Sequence, residues 1–421
     1  MTGQAAPSQS PKTVLSSVLT LDHATPLAVA ASLRPLLLEH ADTAEAEGKI
    51  APAVFEALQA TGLLQMMFPK RAGGVGRQLI THIETVAELA KACPGTAWAF
   101  GLLSSVSASA ASLPPATSSQ IFNTGKELVC SVAARTGTAT PNEEGNYEVT
   151  GSWGYASGCM HANWAMNGVN VLDADGNVVD AGFAIMPLQG DPAVTIKNTW
   201  QVAGVCGSGS NTVIAEKVEL PATMILQFSK LRSGKTDDPA LLAALEPRDL
   251  WPVEPLFPLT VLAPMIGAAC GLQERVKDTM AKRKVIGWKY SSQADANVLV
   301  QQFGSASMEL ESAWLHIRRA ASMVDDVSPT RALSGFEKAR MQADCGYAMQ
   351  LVRKATETLM DIAGPSSFAT SNPMQRLWRD VSVGSRHNAL NSSLSQELYG
   401  RAILGLESNL ELLAEISGTA E

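Results

Sequence analysis

Tyr155 and Ser157 stand two apart in the run Thr150-Gly151-Ser152-Trp153-Gly154-Tyr155-Ala156-Ser157-Gly158, which His161 and Trp164 follow. In an extended strand, residues i and i+2 share a face, so an aromatic ring and a hydroxyl at this spacing can both meet one flat ligand. A second run, Trp200-Gln201-Val202-Ala203-Gly204-Val205-Cys206-Gly207-Ser208-Gly209-Ser210-Asn211-Thr212, concentrates glycine and serine. Small residues such as Gly207, Ser208 and Ser210 let backbone N–H groups approach a phosphate or a ring oxygen. Nearer the C-terminus, Asn372-Pro373-Met374-Gln375-Arg376-Leu377-Trp378-Arg379-Asp380 puts Arg376 and Arg379 three apart on one helical face. That spacing suits a phosphate clamp, and equally an intersubunit ion pair with Asp380 or Glu397. His387 follows seven residues after Asp380, and an imidazole titrates where general acid–base work is done.

The remaining candidates are weaker. The six cysteines (Cys93, Cys130, Cys159, Cys206, Cys270, Cys345) are far apart, with no CxxC pair and no His at ligand spacing, so neither a metal site nor a disulfide framework is expected. His316, between Leu315 and Ile317, reads as a packing or helix-surface residue, and the Glu45/Glu47 and Glu309/Glu311 pairs as solvated helix faces. The loops GGVG and GSGS do not follow a strand and open a helix, so no nicotinamide site is indicated. With 32 Lys+Arg against 40 Asp+Glu and no basic cluster interleaved with aromatics, nucleic acid and anionic membrane surfaces are disfavoured as partners.

The elements that must position these residues change character along the 421-residue chain. Residues 1–25 read as a mobile Ser/Thr/Pro-rich tail without a secretory signal, on a cytoplasmic protein. From 26 to 120 the pattern is helical: Pro52 sits in a first turn, Gly62 at a C-cap, and Ile83, Val86, Ala87 and Ala90 mark a second helix ending at Pro94-Gly95. From 121 to 238 short Val/Thr-rich runs separated by EEGN and DADGN predict a β domain. Phe228–Pro258, rich in proline, reads as a long loop of the kind that forms a lid or binding segment. Within 239–421, after Pro264, two apolar rows advance by steps of three and four: Leu299 to Ala320, and Met341 to Ile362. Such a 3.5-residue spacing predicts long helices packed nearly antiparallel in a bundle.

Helices, a β domain and then a long-helix bundle resemble the acyl-CoA dehydrogenase superfamily: an α+β fold, mostly α, with an N-terminal helical domain, a middle β-barrel-like domain and a C-terminal four-helix bundle. The three runs resemble, within it, the oxygenase component of two-component aromatic hydroxylases, whose motifs W-x-x-x-G-x-x-G-[ST]-G-S and N-P-x-Q-R-x-x-R-D…H they match. The T-E-P-x-x-G-S-D loop and catalytic Glu of the dehydrogenases are missing; Cys130–Thr136 stands in that place, so thioester dehydrogenation is disfavoured. The resemblance implies a diffusible reduced FMN or FADH2, supplied by an NAD(P)H-dependent flavin reductase. With O2 it would form a C4a-hydroperoxide that hydroxylates a small aromatic or heteroaromatic substrate. Tyr155, Ser157, Gly158, Gly207, Ser208, Ser210, Arg376 and Arg379 would contact the flavin, with Ser157 and His387 catalytic. Trp98, Phe100, Leu102 and His161 would line the substrate pocket. A homotetramer is implied. N-oxygenation of an amine or amino sugar stays open beside ring hydroxylation, as does an acyl-CoA dehydrogenase-like or non-catalytic flavin-binding protein.

Overall fold

Pro26, Pro52, Pro94 and Pro115 each open a helix, the one place where a residue without an N–H costs nothing. They begin α1 (Pro26–Glu39), α3 (Pro52–Thr61), α5 (Pro94–Ala111) and α6 (Pro115–Ile121); α2 (Ala41–Glu47) and α4 (Leu79–Ala90) complete the first helical layer. Pro94, expected to end a helix, starts one, and α4 has already stopped at Ala90. The computed structural model describes residues 19–191, 193–229, 245–411, 413 and 416; most of the expected tail, and residues 230–244 of the expected loop, lie outside the described residues.

The middle of the chain forms one seven-stranded mixed sheet. Its strands are β1 (Val129–Pro141), β2 (Tyr147–Ala156), β3 (Trp164–Leu172), β4 (Val178–Pro187), β5 (Val194–Lys197), β6 (Asn211–Leu220) and β7 (Ile225–Gln227). The order is β5-β6-β2-β1-β3-β4-β7, with β1 and β3 parallel and the other neighbours antiparallel. Trp153, fully buried, fastens β2 to β3 through its indole N–H, 2.7 Å from the Gly168 carbonyl.

The bundle contains the long helices α7 (Val253–Met280), α8 (Asn297–Ser322) and α9 (Gly335–Ala363) and the short α11 (Ser392–Ile403), with the equally short α10 (Pro373–Gly384) against α7. Both apolar rows face inward: Ala306 to Ala320 on α8 and Met341 to Ile362 on α9 are buried, while Leu299 and Phe303 at the start of α8 are half-buried. The structure corrects the extent of the loop. Helix α7 begins at Val253 and carries Pro258 and Pro264 inside it. Pro255 lies in the first turn and loses nothing; the two bonds lost further on are offset by burial of nearly every side chain from Leu256 to Leu272. That burial identifies this long apolar helix as the core of the protein. Its Gly267 lets α7 lie directly on α4, since a Cβ there would stand 2.2 Å from the Ala87 carbonyl oxygen.

Candidate functional site

At the end of β2 the strand register breaks between Trp153 and Ala156, and Tyr155 takes a left-handed conformation, φ 64°. A tyrosine held there stores backbone strain that the surrounding structure must impose. The break also corrects the expected shared face: Tyr155 is 77% exposed, edge-on to Trp200 with ring centroids 5.6 Å apart, whereas Ser157 is 8% exposed. Ser157 lies in the turn beyond the strand. Its Oγ is 2.7 Å from Ser210 Oγ, which is 2.7 Å from Ser208 Oγ, and Trp98 Nε1 donates to Ser157 Oγ at 3.1 Å. Three hydroxyls carry three protons, and the two contacts between them use two, so the chain holds one proton for an acceptor outside it.

Gly158 closes this cluster. It has φ 76°, its N–H donates to the Ser208 carbonyl at 2.9 Å, and a Cβ would meet Leu103 at 2.7 Å. Gly207 does something other than expected: it is buried against Ala44 and Thr96, where it packs the loop onto α2 and α5. Val205, also left-handed at φ 53°, donates its N–H to Asp380 Oδ1 at 2.6 Å. Asp380 is buried, and burial pushes its carboxyl up to about 7. Asn211 Oδ1 accepts from the N–H groups of Thr199 and Trp200, at 2.9 and 3.0 Å, fastening the other side of the loop.

His387 follows α10 and caps a short turn: its Nδ1 accepts from the Ala389 N–H at 3.2 Å. The neutral ring therefore carries its proton on Nε2. Burial lowers the pKa of His387, which favours that neutral form. Its ring lies 6.0 Å from Trp98 and 5.2 Å from Phe257, centroid to centroid. Trp98 thus joins Ser157 to His387. Leu102, one turn along α5 from Trp98, keeps partial exposure.

Two expected pocket residues are elsewhere. Phe100, two positions from Trp98, is about 200° around the helix, fully buried with its ring 6.1 Å from His82 of α4. His161 packs 4.4 Å from Phe55 of α3, and burial, with Lys49 adding to it, pushes its pKa down to about 4. Arg376 and Arg379 are also differently used. Arg376 Nε and Arg379 Nη2 each donate to Glu45 at 2.7 Å, and Arg376 reaches Asp42 as well, bridging α10 to α2 within one chain. Glu45 is accordingly a half-buried partner, not a solvated one. Burial works against its charge, but the bonds from the two arginines hold its carboxyl below the usual range. Glu45 already engages both arginines, so a phosphate here would have to share them with it or displace it.

Asp380 and Phe257 escaped the sequence reading in their present roles. Nothing in the local sequence marks Asp380 as a loop fastener, because its partner Val205 is 175 positions away. Phe257 fell in the proline-rich stretch read as loop, where only its aromaticity could have drawn notice.

The residues present suit a flavin. A strained, exposed aromatic stands beside a buried hydroxyl chain with a proton to give, and an imidazole faces the same tryptophan. Among the described residues no three His, Cys, Asp or Glu side chains gather as metal ligands. Residues 28–113 match the family "Acyl-CoA dehydrogenase, N-terminal domain" and 259–392 match "Acyl-CoA dehydrogenase, C-terminal domain". The chain is 27% identical over 380 residues to the flavin-dependent monooxygenase oxygenase subunit HsaA of Rhodococcus jostii, covering 89% of this chain and 97% of that protein. It is 25% identical to the oxygenase component of p-hydroxyphenylacetate 3-hydroxylase from Acinetobacter baumannii, covering 89% and 87%. The structure of XiaF from Streptomyces sp., in complex with FADH2 and glycerol, superposes with a TM-score of 0.85 at 27% identity, over 95% of this chain and 97% of that one. Fold and relatives agree: the chain belongs to the acyl-CoA dehydrogenase superfamily, in its branch of two-component flavin-dependent monooxygenases, as an oxygenase component.

Proposed function

We propose that this oxygenase hydroxylates a small aromatic or heteroaromatic ring, using reduced FMN or FADH2 delivered by a separate NAD(P)H-dependent flavin reductase. The observation that carries the reading is the placing of Trp98, whose indole N–H bonds Ser157 and whose ring faces His387. Reduced flavin, when bound, supplies the electrons that activate O2, one atom of which enters the substrate while the other leaves as water.

The protein's own part begins with Tyr155 and Ser157, which would hold the flavin ring. When Ser208 donates to Ser210 and Ser210 to Ser157, Trp98 fills the other acceptor site of Ser157. Ser157 then donates outward, to a flavin edge atom. His387, with Nδ1 committed to the Ala389 N–H, offers an Nε2–H donor. It therefore steadies a developing oxygen anion, and does not remove a phenolic proton. The apolar surfaces of Trp98, Leu102 and Phe257 would pack on the substrate ring, and the water this displaces would strengthen both hydrogen bonds.

The working form is a homotetramer in the cytoplasm. Supporting the assembly, Ile286, Trp288, Tyr290, Met308 and Leu315 are exposed apolar side chains along α8 and the segment before it, more than a lone bundle face would leave to water. The test supplies an unrelated flavin reductase with NADH, FMN or FAD, and phenolic substrates. Product should form only when the reductase is present, and NADH oxidation by the chain alone at the rate of product formation would refute the two-component reading.

A further inference from the structure

Arg248 is 8% exposed and lies in the turn Pro247–Leu250 that leads into α7. Its guanidinium touches only neutral groups: the Ser105 carbonyl and Ser109 Oγ, each 3.3 Å from Nη2, and Met67 Sδ at 4.0 Å from Nη1. Trp251 lies beneath it, 4.8 Å from ring centroid to Cζ. The nearby carboxylates are committed elsewhere. Asp249 takes both Nη atoms of Arg71, at 2.6 and 2.7 Å, and Glu246 accepts the backbone N–H groups of Lys70 and Arg71. Those bonds fasten the turn while leaving Arg248, among the described residues, with no carboxylate at ion-pair distance. Its Nε and the Trp251 Nε1 are both buried without a partner.

A buried cation without a counter-charge is costly, and burial lowers the pKa of Arg248 to about 10. The Ser105 carbonyl, inside α5 and before its last turn, supplies a local dipole and no counter-charge. The place has a direction. Ser105 lies seven residues beyond Trp98 on α5, on the same face and about 10 Å along. Across from it, Thr260 of α7 approaches Ser105 at 3.5 Å, and Phe257, one turn before Thr260, packs on His387. The turn carrying Arg248 and the start of α7 thus meet α5 at Ser105, with Phe257 and the His387 ring packed on it close by, and α5 leads from there past half-buried Leu102 to Trp98.

We propose that Arg248 receives the carboxylate of the substrate, which makes the preferred substrates aromatic acids with the acid on a short arm, the ring lying toward Trp98 and His387. This rests on the monooxygenase reading and narrows it. The bound carboxylate completes the guanidinium and takes the unspent Arg248 Nε–H or Trp251 Nε1–H. The test is equilibrium binding to the full chain, with and without reduced flavin under anaerobic conditions, of 3-(4-hydroxyphenyl)propionate and its neutral amide. The acid should bind wild type roughly 10- to 100-fold more tightly than the amide. R248Q should erase that preference while leaving amide binding and reduced-flavin affinity unchanged. Equal binding of acid and amide by wild type would overturn the proposal whether or not R248Q folds. So would a preference that survives in R248Q, or a loss of flavin affinity in R248Q that matches the loss of acid binding, which would assign the cation to the cofactor. No turnover is measured, so failure here leaves the monooxygenase reading standing, and failure of hydroxylation leaves acid recognition readable.

Discussion

The two walls that meet at Trp98 are built on opposite principles. On the strand side, Ser157, Ser208 and Ser210 are joined hydroxyl to hydroxyl, and two neighbouring residues, Tyr155 and Val205, hold left-handed backbone. On the helix side, the rings of Trp98 and Phe257 flank one polar group, His387, and Leu102 lies one turn along α5. A polar, strained wall suits a polar cofactor that must be held in one orientation. An apolar wall with a single donor suits a ring whose polar change comes only during reaction. Substitutions should therefore separate by wall: the helix side governs whether product forms, and the strand side governs how much oxygen is wasted.

The largest effect is expected at His387. His387→Ala should lower single-turnover product yield by about 10²- to 10⁴-fold with reduced-flavin affinity little changed. His387→Gln, which keeps an N–H donor, should recover part of it; if Gln and Ala behave alike, the donor role is wrong. Because burial lowers the pKa of His387, its protonation should limit yield only below the ordinary histidine range, near pH 6.5, and the profile above should be flat on its account.

Next is Asp380→Ala. It strands the buried Val205 N–H at a cost of about 1–3 kcal/mol, and should loosen the loop that carries Ser208 and Ser210. The visible result should be more H2O2 per product together with a lower Tm. Asp380 also makes a linkage prediction. Its folded pKa, about 7, lies above the unfolded carboxylate value, so its contribution to stability is full below about pH 4 and is lost as pH rises through 7. Tm should fall across that window in wild type and less steeply in Asp380→Asn; equal slopes would place the titration elsewhere.

Ser157→Ala removes one outward donor worth about 0.5–1.5 kcal/mol, so H2O2 release relative to product should rise a few-fold to roughly tenfold. An unchanged ratio would take Ser157 out of the site. Smallest is Glu45→Gln, which weakens the α2–α10 bridge. It should shift Tm by roughly 2 °C or less and leave coupling alone, whereas a large gain of flavin affinity would return Arg376 and Arg379 to the cofactor.

What the sequence disclosed follows from the range of the forces involved. The rows on α8 and α9 were legible because periodic burial is written locally, and Ser157, Ser208 and Ser210 because small polar residues stood in recognisable runs. Phe100 packs on His82, away from the site, because a helix denies a shared face to residues two apart. Glu45 could not be paired from sequence: its partners are more than three hundred positions away, and only the docking of α2 on α10 brings them together. In α7 the prolines signal a break, a local preference that tertiary burial overrides. The same signal hides Arg248 and Phe257, whose partners are set only by the docking of α7 on its neighbours.

The most direct test of the account is a single turnover with chemically pre-reduced flavin, isotopically labelled O2 and an aromatic substrate, with neither reductase nor NAD(P)H present. The account predicts hydroxylated product carrying one labelled oxygen, formed in proportion to the reduced flavin consumed. Reduced flavin that is bound and reoxidised with all the oxygen released as H2O2, across a range of phenolic and heteroaromatic substrates, would contradict it.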